Sequence, residues 1–421
     1  MLVAGSRDVV WLLLSMTLAS VPVGYLQVVL PLYLNRAGLE PAIIGLLYSL
    51  SGLVTAGLVA FSGALADRFG RRGFLIWGTA LPIGSYVILA ATTDPIWLVL
   101  ASVIGGVGLA NGAAGALTIA SFDAMLAEHT PPQRRTRVFA VSQALWSMAL
   151  GLGALCAGLP ELFRQARPDL GSLEVYRPPF IAVIVLAGVA TVVLLPLSET
   201  ASERRRVAAR SGSWLPRRSF SVIARYSLAL GLFGLGLGVA VQLLPLWFAL
   251  RFGVDEAALG PWYAAGQVLS LSSVALSPWL ERRLGGAFAV LVVQVLGGAC
   301  LLAIALVAPI FEIAAAASVL RNLLANFAWP MQQALLMTSV VAEERASAAG
   351  IGFAVWGLAN AAGPALAGVL IQTGSLEMPL VLGAVAYTAG GLAFGFGFRR
   401  YAGPWQTAST LLPSGSRTKP P

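Results

Sequence analysis

Residues 63–72 read GALADRFGRR, between apolar runs at 41–63 and 73–93. Gly63 and Gly70 permit close backbone approach and a tight turn. Asp67, Arg68, Arg71 and Arg72 gather charge where the two runs meet. A short charged turn between two runs of roughly 20 apolar residues is the connection expected at a bilayer surface. Asp67 and Arg71 stand where two helices enter the membrane, placed to pair or to meet a neighbouring helix end.

The same arrangement recurs outward along the chain. Apolar stretches fall at 10–34, 41–63, 73–93, 95–122, 137–159, 179–197, 222–248, 257–280, 286–308, 313–337, 346–371 and 377–398. An all-α membrane protein with twelve transmembrane helices is therefore expected. Composition agrees: 58% of residues are hydrophobic and only 11% are charged, against about 25% charged in soluble chains. The 46 glycines and 24 prolines suit membrane helices, whose neighbours re-satisfy freed backbone groups. The first run is too long for a cleaved signal peptide and leads into Pro31 without a small-residue cleavage site. Cys156 and Cys300 lie in apolar runs and read as small buried hydrophobes. With His129 the single histidine, there is no metal-binding signature and no cofactor is expected.

The formal charge of +9 is distributed as a topology signal rather than as a nucleic-acid-binding face. With both termini cytoplasmic, 21 basic residues fall on inner segments, and 5 (Arg36, Arg164, Arg167, Arg177 and Arg251) on outer ones. Only Arg321 is left within a span. The expected location is a bacterial-type plasma membrane, crossed many times. The longest inner connection, 198–221, divides the chain into six-helix bundles at 1–197 and 222–400. The tail at 401–421 is Ser-, Thr- and Pro-rich and expected to be disordered.

The halves repeat. LPLYLNRAGLEPAIIG at 30–45 is matched by LPLWFALRFGVDEAALG at 244–260, pairing Pro31 with Pro245 and Gly45 with Gly260. Arg135, Trp146, Gly153 and Gly158 match Arg345, Trp356, Gly363 and Gly368, each 210 residues later. Such repeats are expected of transporters whose two bundles rock about a central site.

GALADRFGRR, in this setting, resembles the signature loop of the major facilitator superfamily. The twelve spans, long central loop and six-plus-six repeat extend the likeness over about residues 8–400, toward bacterial drug and metabolite exporters. The resemblance implies alternating access, with a charge network that locks the inner side while the outer side is open. Carried over by position, that gate is Gly63, Asp67, Gly70, Arg71 and Asp123. Three departures stand out. The corresponding second-half loop, SPWLERRLGG at 277–286, places Arg282 opposite Asp67. The fourth span has Ala101, Ser102, Val103 and Ile104 where many proton-coupled relatives carry an arginine. The fifth reads GLGALCAG at 151–158, without the Gly-Pro pair of many antiporters, which occurs instead at Gly363 and Pro364. Gly105, Gly108, Gly112 and Gly115 are expected to form a packing stripe on one face of the fourth span.

Polar residues at membrane depth mark the candidate cavity. Arg321 lies about 13 Å down its helix from Glu312, where exposure to hydrocarbon costs at least roughly 2.5 kcal/mol. Asn322, Asn326, Trp329 and Gln333 continue a polar and aromatic stripe beside it, and Pro330 interrupts the backbone ladder. Tyr25, Gln27, Asn111 and Gln143 in the first half, with Gln242, Gln267, Gln294 and Asn360 in the second, complete a moderately polar set. Each of these is as readily interhelical glue as substrate wall. No acid lies mid-span, which counts against a simple proton-coupling scheme.

The expected function is export of a small organic or amphipathic solute by a monomer in the bilayer, with a proton or another ion as the coupling partner. Two alternatives stand beside it: uptake or exchange of an anionic metabolite through an Arg321-centred site, and facilitative transport without proton coupling. An enzyme is not expected, because no nucleophile, acid or metal cluster lies at membrane depth.

Overall fold

A computed structural model describes residues 7–106, 112–198, 218–307, 309–341 and 344–399, and these are all-helical, with no strand among them. The first half contains α1 (Arg7–Arg36), α2 (Pro41–Phe69), α3 (Arg71–Ala91), α4 (Pro95–Ile104) and α5 (Gly112–Glu128). It continues with α6 (Arg135–Leu155), α7 (Leu159–Ala166) and α8 (Arg177–Val192). The second half contains α9 (Phe220–Val241), α10 (Leu244–Phe252), α11 (Glu256–Leu284) and α12 (Gly286–Leu302). It closes with α13 (Phe311–Ser339), α14 (Arg345–Gln372) and α15 (Glu377–Phe398).

Helix occurs within each of the twelve expected spans, and among the described residues nine stretches are long and apolar enough to cross a membrane. The other three depart for visible reasons. The fourth span is broken into α4 and α5 by glycines: Gly105 ends α4, and Gly106 and Gly112 adopt φ of 80° and 53°. The expected glycine stripe therefore does not lie on one continuous helix, and Gly108 falls outside the described residues. Hydroxyls of α2 cap the break: Gly112 N donates to Ser51 Oγ at 3.2 Å, and Thr55 Oγ1 donates to Gly112 O at 2.8 Å. The eighth and tenth spans, α11 and α13, are unbroken but carry too many polar groups to match a lipid-facing composition. The seventh span also bends, where α9 gives way to α10 just before Pro245.

Within the first half α1 packs on α6 and α8, and α5 on α2 and α3; within the second α9 packs on α14 and α15, and α12 on α13 and α15. Between membrane helices there is no hydrophobic drive, so close packing at small residues carries much of the association. The internal repeat is visible in that packing. At Gly153 an added Cβ would lie 3.0 Å from Gly24 Cα, and at Gly363 it would lie 2.5 Å from Gly238 Cα. The α1–α6 and α9–α14 crossings are thus equivalent, each seated on a pair of glycines. Gly70 and Gly285, at φ of 103° and 78°, make the matching turns into α3 and α12.

The halves meet along α2–α14 and α6–α11, with α1 also touching α10. Two faces are distinguished below. One carries residues 36–41, 252–256 and 372–377. The other, the terminal face, carries residue 7, the turns at Gly70 and Gly285, and residue 218.

Candidate transport pathway

The antiparallel helices α2 and α14 are tight at the 36–41 end. A Cβ at Gly45 would sit 2.2 Å from Pro364 O, and one at Gly52 would sit 2.8 Å from Ala361 Cβ. Farther along, a Cβ at Gly57 or Gly350 would meet nothing within 4 Å. The contact nevertheless continues beside Gly57, since a Cβ at Gly357 would lie 3.2 Å from Ala56 Cβ. On α6–α11 an added Cβ at Gly260 would lie 2.5 Å from Ala154 O and one at Gly151 would lie 3.5 Å from Gln267 Cβ, so the helices are in contact at both levels.

A buried charged latch spans the tight end. Arg36, in the last turn of α1, reaches Glu256, the first residue of α11, with Nη1 to Oε2 at 2.9 Å. Tyr176, just before α8, donates its hydroxyl to Glu256 Oε1 at 2.5 Å and accepts a hydrogen bond from Arg36. Glu256 is 3% exposed, so its charge depends on these two first-half partners. Tyr25 lies within electrostatic range of both Glu256 and Tyr176. Further hydrogen bonds join the halves nearby. Gln372 Nε2 donates to Glu40 Oε2 at 2.7 Å, Ala42 N to Gln372 Oε1 at 3.2 Å, and Ala365 N to Ser49 Oγ at 2.8 Å. On the adjoining loop Arg167 holds the Asp169 carboxyl below its ordinary range through a hydrogen bond, a surface pair apart from the latch. Sequence reasoning missed Glu256 and Tyr176, and it read Arg36 only as a topology charge.

At the terminal face Arg71 forms an ion pair with Glu128 at the end of α5, another residue the sequence did not single out. Asp123, one and a half turns earlier on α5, is exposed. Gly63 and Asp67 lie in the last turns of α2, and Gly70 makes the turn between α2 and α3. His129 and Ser198 both converge on Asp8 at the start of α1, with His129 Nε2 3.5 Å from Asp8 Oδ2.

Between the faces, Arg321 is buried at 5% exposure and turns into the second half, within electrostatic range of Tyr263, Cys300 and Tyr387. Its neighbour Asn322 donates to Gly266 O on α11 at 3.1 Å, and Asn326 donates back to Asn322 O at 2.8 Å. Trp329 packs edge-on against Phe353 and Trp356 of α14. Gln333 is half-buried, whereas the adjacent Gln332, absent from the expected set, is fully buried without a hydrogen-bond partner. Gln242 and Asn360 are brought together: Gln242 Nε2 donates to Asn360 Oδ1 at 3.2 Å, and Asn360 Nδ2 to Gly234 O at 3.1 Å, tying α9 to α14. Gln294 is wholly buried on α12, also without a hydrogen-bond partner. Tyr25 is buried with its hydroxyl unpaired, Gln27 and Gln267 are half-buried, and Gln143 is exposed. Asn111 lies outside the described residues. Among the described residues no cluster of three His, Cys, Asp or Glu is placed to hold a metal.

The family model for the Major Facilitator Superfamily matches residues 12–320. The chain belongs to the major facilitator superfamily. Solved members share its fold at low identity. The nucleoside transporter NupG superposes with a TM-score of 0.69 at 14% identity, covering 93% of this chain and 99% of that one. A bacterial homologue of the human lysosomal transporter Spinster, inward-facing and unoccupied, gives 0.70 at 15%, covering 94% and 97%. Among curated superfamily relatives, an uncharacterised membrane protein of Saccharomyces cerevisiae is 24% identical over 70% of this chain and 72% of its own length. The class H tetracycline resistance protein of Pasteurella multocida is 24% identical over 49% of this chain and 48% of its own. The multidrug resistance protein MdtH of Yersinia enterocolitica is 28% identical over 29% of each. The chain thus spans about half, or less, of the two resistance proteins it matches.

Proposed function

We propose that this superfamily member is a secondary active transporter that exports a small organic or amphipathic solute by alternating access. It sits as a monomer in a bacterial-type plasma membrane with both termini in the cytoplasm, as the 21-to-5 bias of basic residues indicates. One observation carries the reading: the two halves are latched across a buried Glu256 at one face. On this reading the latched face is extracellular and the protein rests open to the cytoplasm, ready to load solute for export. Asp67, Arg71 and Asp123 form the opposing gate, engaged when the extracellular side opens, with Glu128 as a further partner of Arg71. The names of the tetracycline and multidrug resistance relatives favour a drug- or metabolite-like substrate.

The test is transport by the purified protein in proteoliposomes of sorted orientation. A panel of lipophilic solutes that includes tetracycline is offered with and without a pH gradient. Directional movement of at least one solute, abolished when the halves are cross-linked at the terminal face, is the expected result. Absence of movement in either orientation overturns the proposal, and movement indifferent to ion gradients replaces active export with facilitated transport.

A further inference from the structure

The guanidinium of Arg321 is short of acceptors. Among the described residues it reaches only Asn322 Oδ1, from Nη2 at a long 3.4 Å, and Nε has no partner. No carboxylate pairs with it among the described residues. The side chains in electrostatic range are two phenols, Tyr263 of α11 and Tyr387 of α15, and the thiol of Cys300. Both phenolic hydroxyls are buried without a hydrogen-bond partner. A guanidinium offers donors only, and a phenol donates as readily as it accepts. Leaving such groups unmet in a dry interior is unfavourable, most of all for the charge.

We infer that Arg321, Tyr263 and Tyr387 form a binding site for the carboxylate or phosphate group of an organic anion. The inference rests on the transport reading and narrows its substrate class. A neutral solute leaves the guanidinium uncompensated, and a cation is repelled by it. An anion instead supplies two or more acceptor oxygens and matches the planar fork of arginine. Asn322 is held by Gly266 so that its carbonyl oxygen faces the guanidinium, which leaves the other N–H groups for the ligand.

The experiment is thermal unfolding of the full-length protein in detergent, titrated with compounds on one skeleton: 2-naphthoate, 2-naphthyl phosphate, 2-naphthamide and 2-naphthylmethylamine. At least one anion is expected to stabilise the protein with an apparent affinity roughly tenfold or more above that of the amide. Arg321→Gln should erase that preference while leaving the weak effect of the amide. Should Arg321→Gln fail to fold, Tyr387→Phe and Tyr263→Phe keep the rings and should each weaken the anion about fivefold or more. The inference is overturned if the amide or amine binds as well as the anions, if the preference survives Arg321→Gln or the paired phenylalanine changes, or if neither anion stabilises the protein. Stabilisation by phosphatidylglycerol without stabilisation by the soluble anions also overturns it, since the ligand is then a lipid headgroup. Anion binding without transport in proteoliposomes would instead overturn the transport reading and leave the site standing.

Discussion

At the scale of single residues, the latch is the feature whose removal has the clearest consequence. The Glu256 side chain is 4% exposed and that of Arg36 32%, so the pair is neither a free surface bridge nor a dry interior one. Glu256→Gln keeps the shape but removes the charge that Arg36 and Tyr176 hold, and it should weaken closure by about 1–2 kcal/mol. The check is alkylation of Ser49→Cys from the latched side, in a background lacking Cys156 and Cys300. Ser49 is 3% exposed and hydrogen-bonded across the halves, so it is labelled only when they part. Its labelling rate should rise about fivefold or more with Glu256→Gln, and an unchanged rate would remove the latch from the account. Sequence patterns expose some of these residues and hide others. Arg321 was legible because a charge within an apolar run needs a reason. Glu256 was not, because it follows Asp255 at a span end and looks like any interfacial acid. Its meaning arises only when a distant helix end is folded onto it.

Among the helices, the spans and the repeat could be read because membrane helices declare themselves by length and apolarity. The interruptions could not be placed in advance. Gly105 and Gly112 suit either a packing stripe or a broken helix, and left-handed backbone at Gly106 and Gly112 decided for the break. The glycine pairs at the two equivalent crossings carry the element-scale prediction. Gly363→Val would place a Cβ 2.2 Å from Gly238 C, a backbone atom that cannot rotate away. It should lower the melting temperature sharply, by more than the ~1–3 kcal/mol usual for overpacking. Gly57→Ala, with nothing within 4 Å of the new methyl, should leave stability level or raise it slightly. Thermal unfolding of both purified variants checks the pair, and equal melting temperatures would contradict the packing described for α9 and α14.

For the whole molecule, the two halves meet across the buried latch at one face, and alternating access, as proposed, exchanges that closure for one at the terminal face. Most directly, this is tested by distances between spin labels in nanodiscs: one pair at Asp169 and Thr373, beside the latch, and one at Arg137 and Arg282, on the terminal face. All four positions are exposed and each pair joins the two halves. Two populated states are predicted, in which one distance lengthens as the other shortens. Asp67→Asn should shift the balance toward the latched state and Glu256→Gln away from it. A single distance at each face, unmoved by either substitution, would contradict alternating access in this protein.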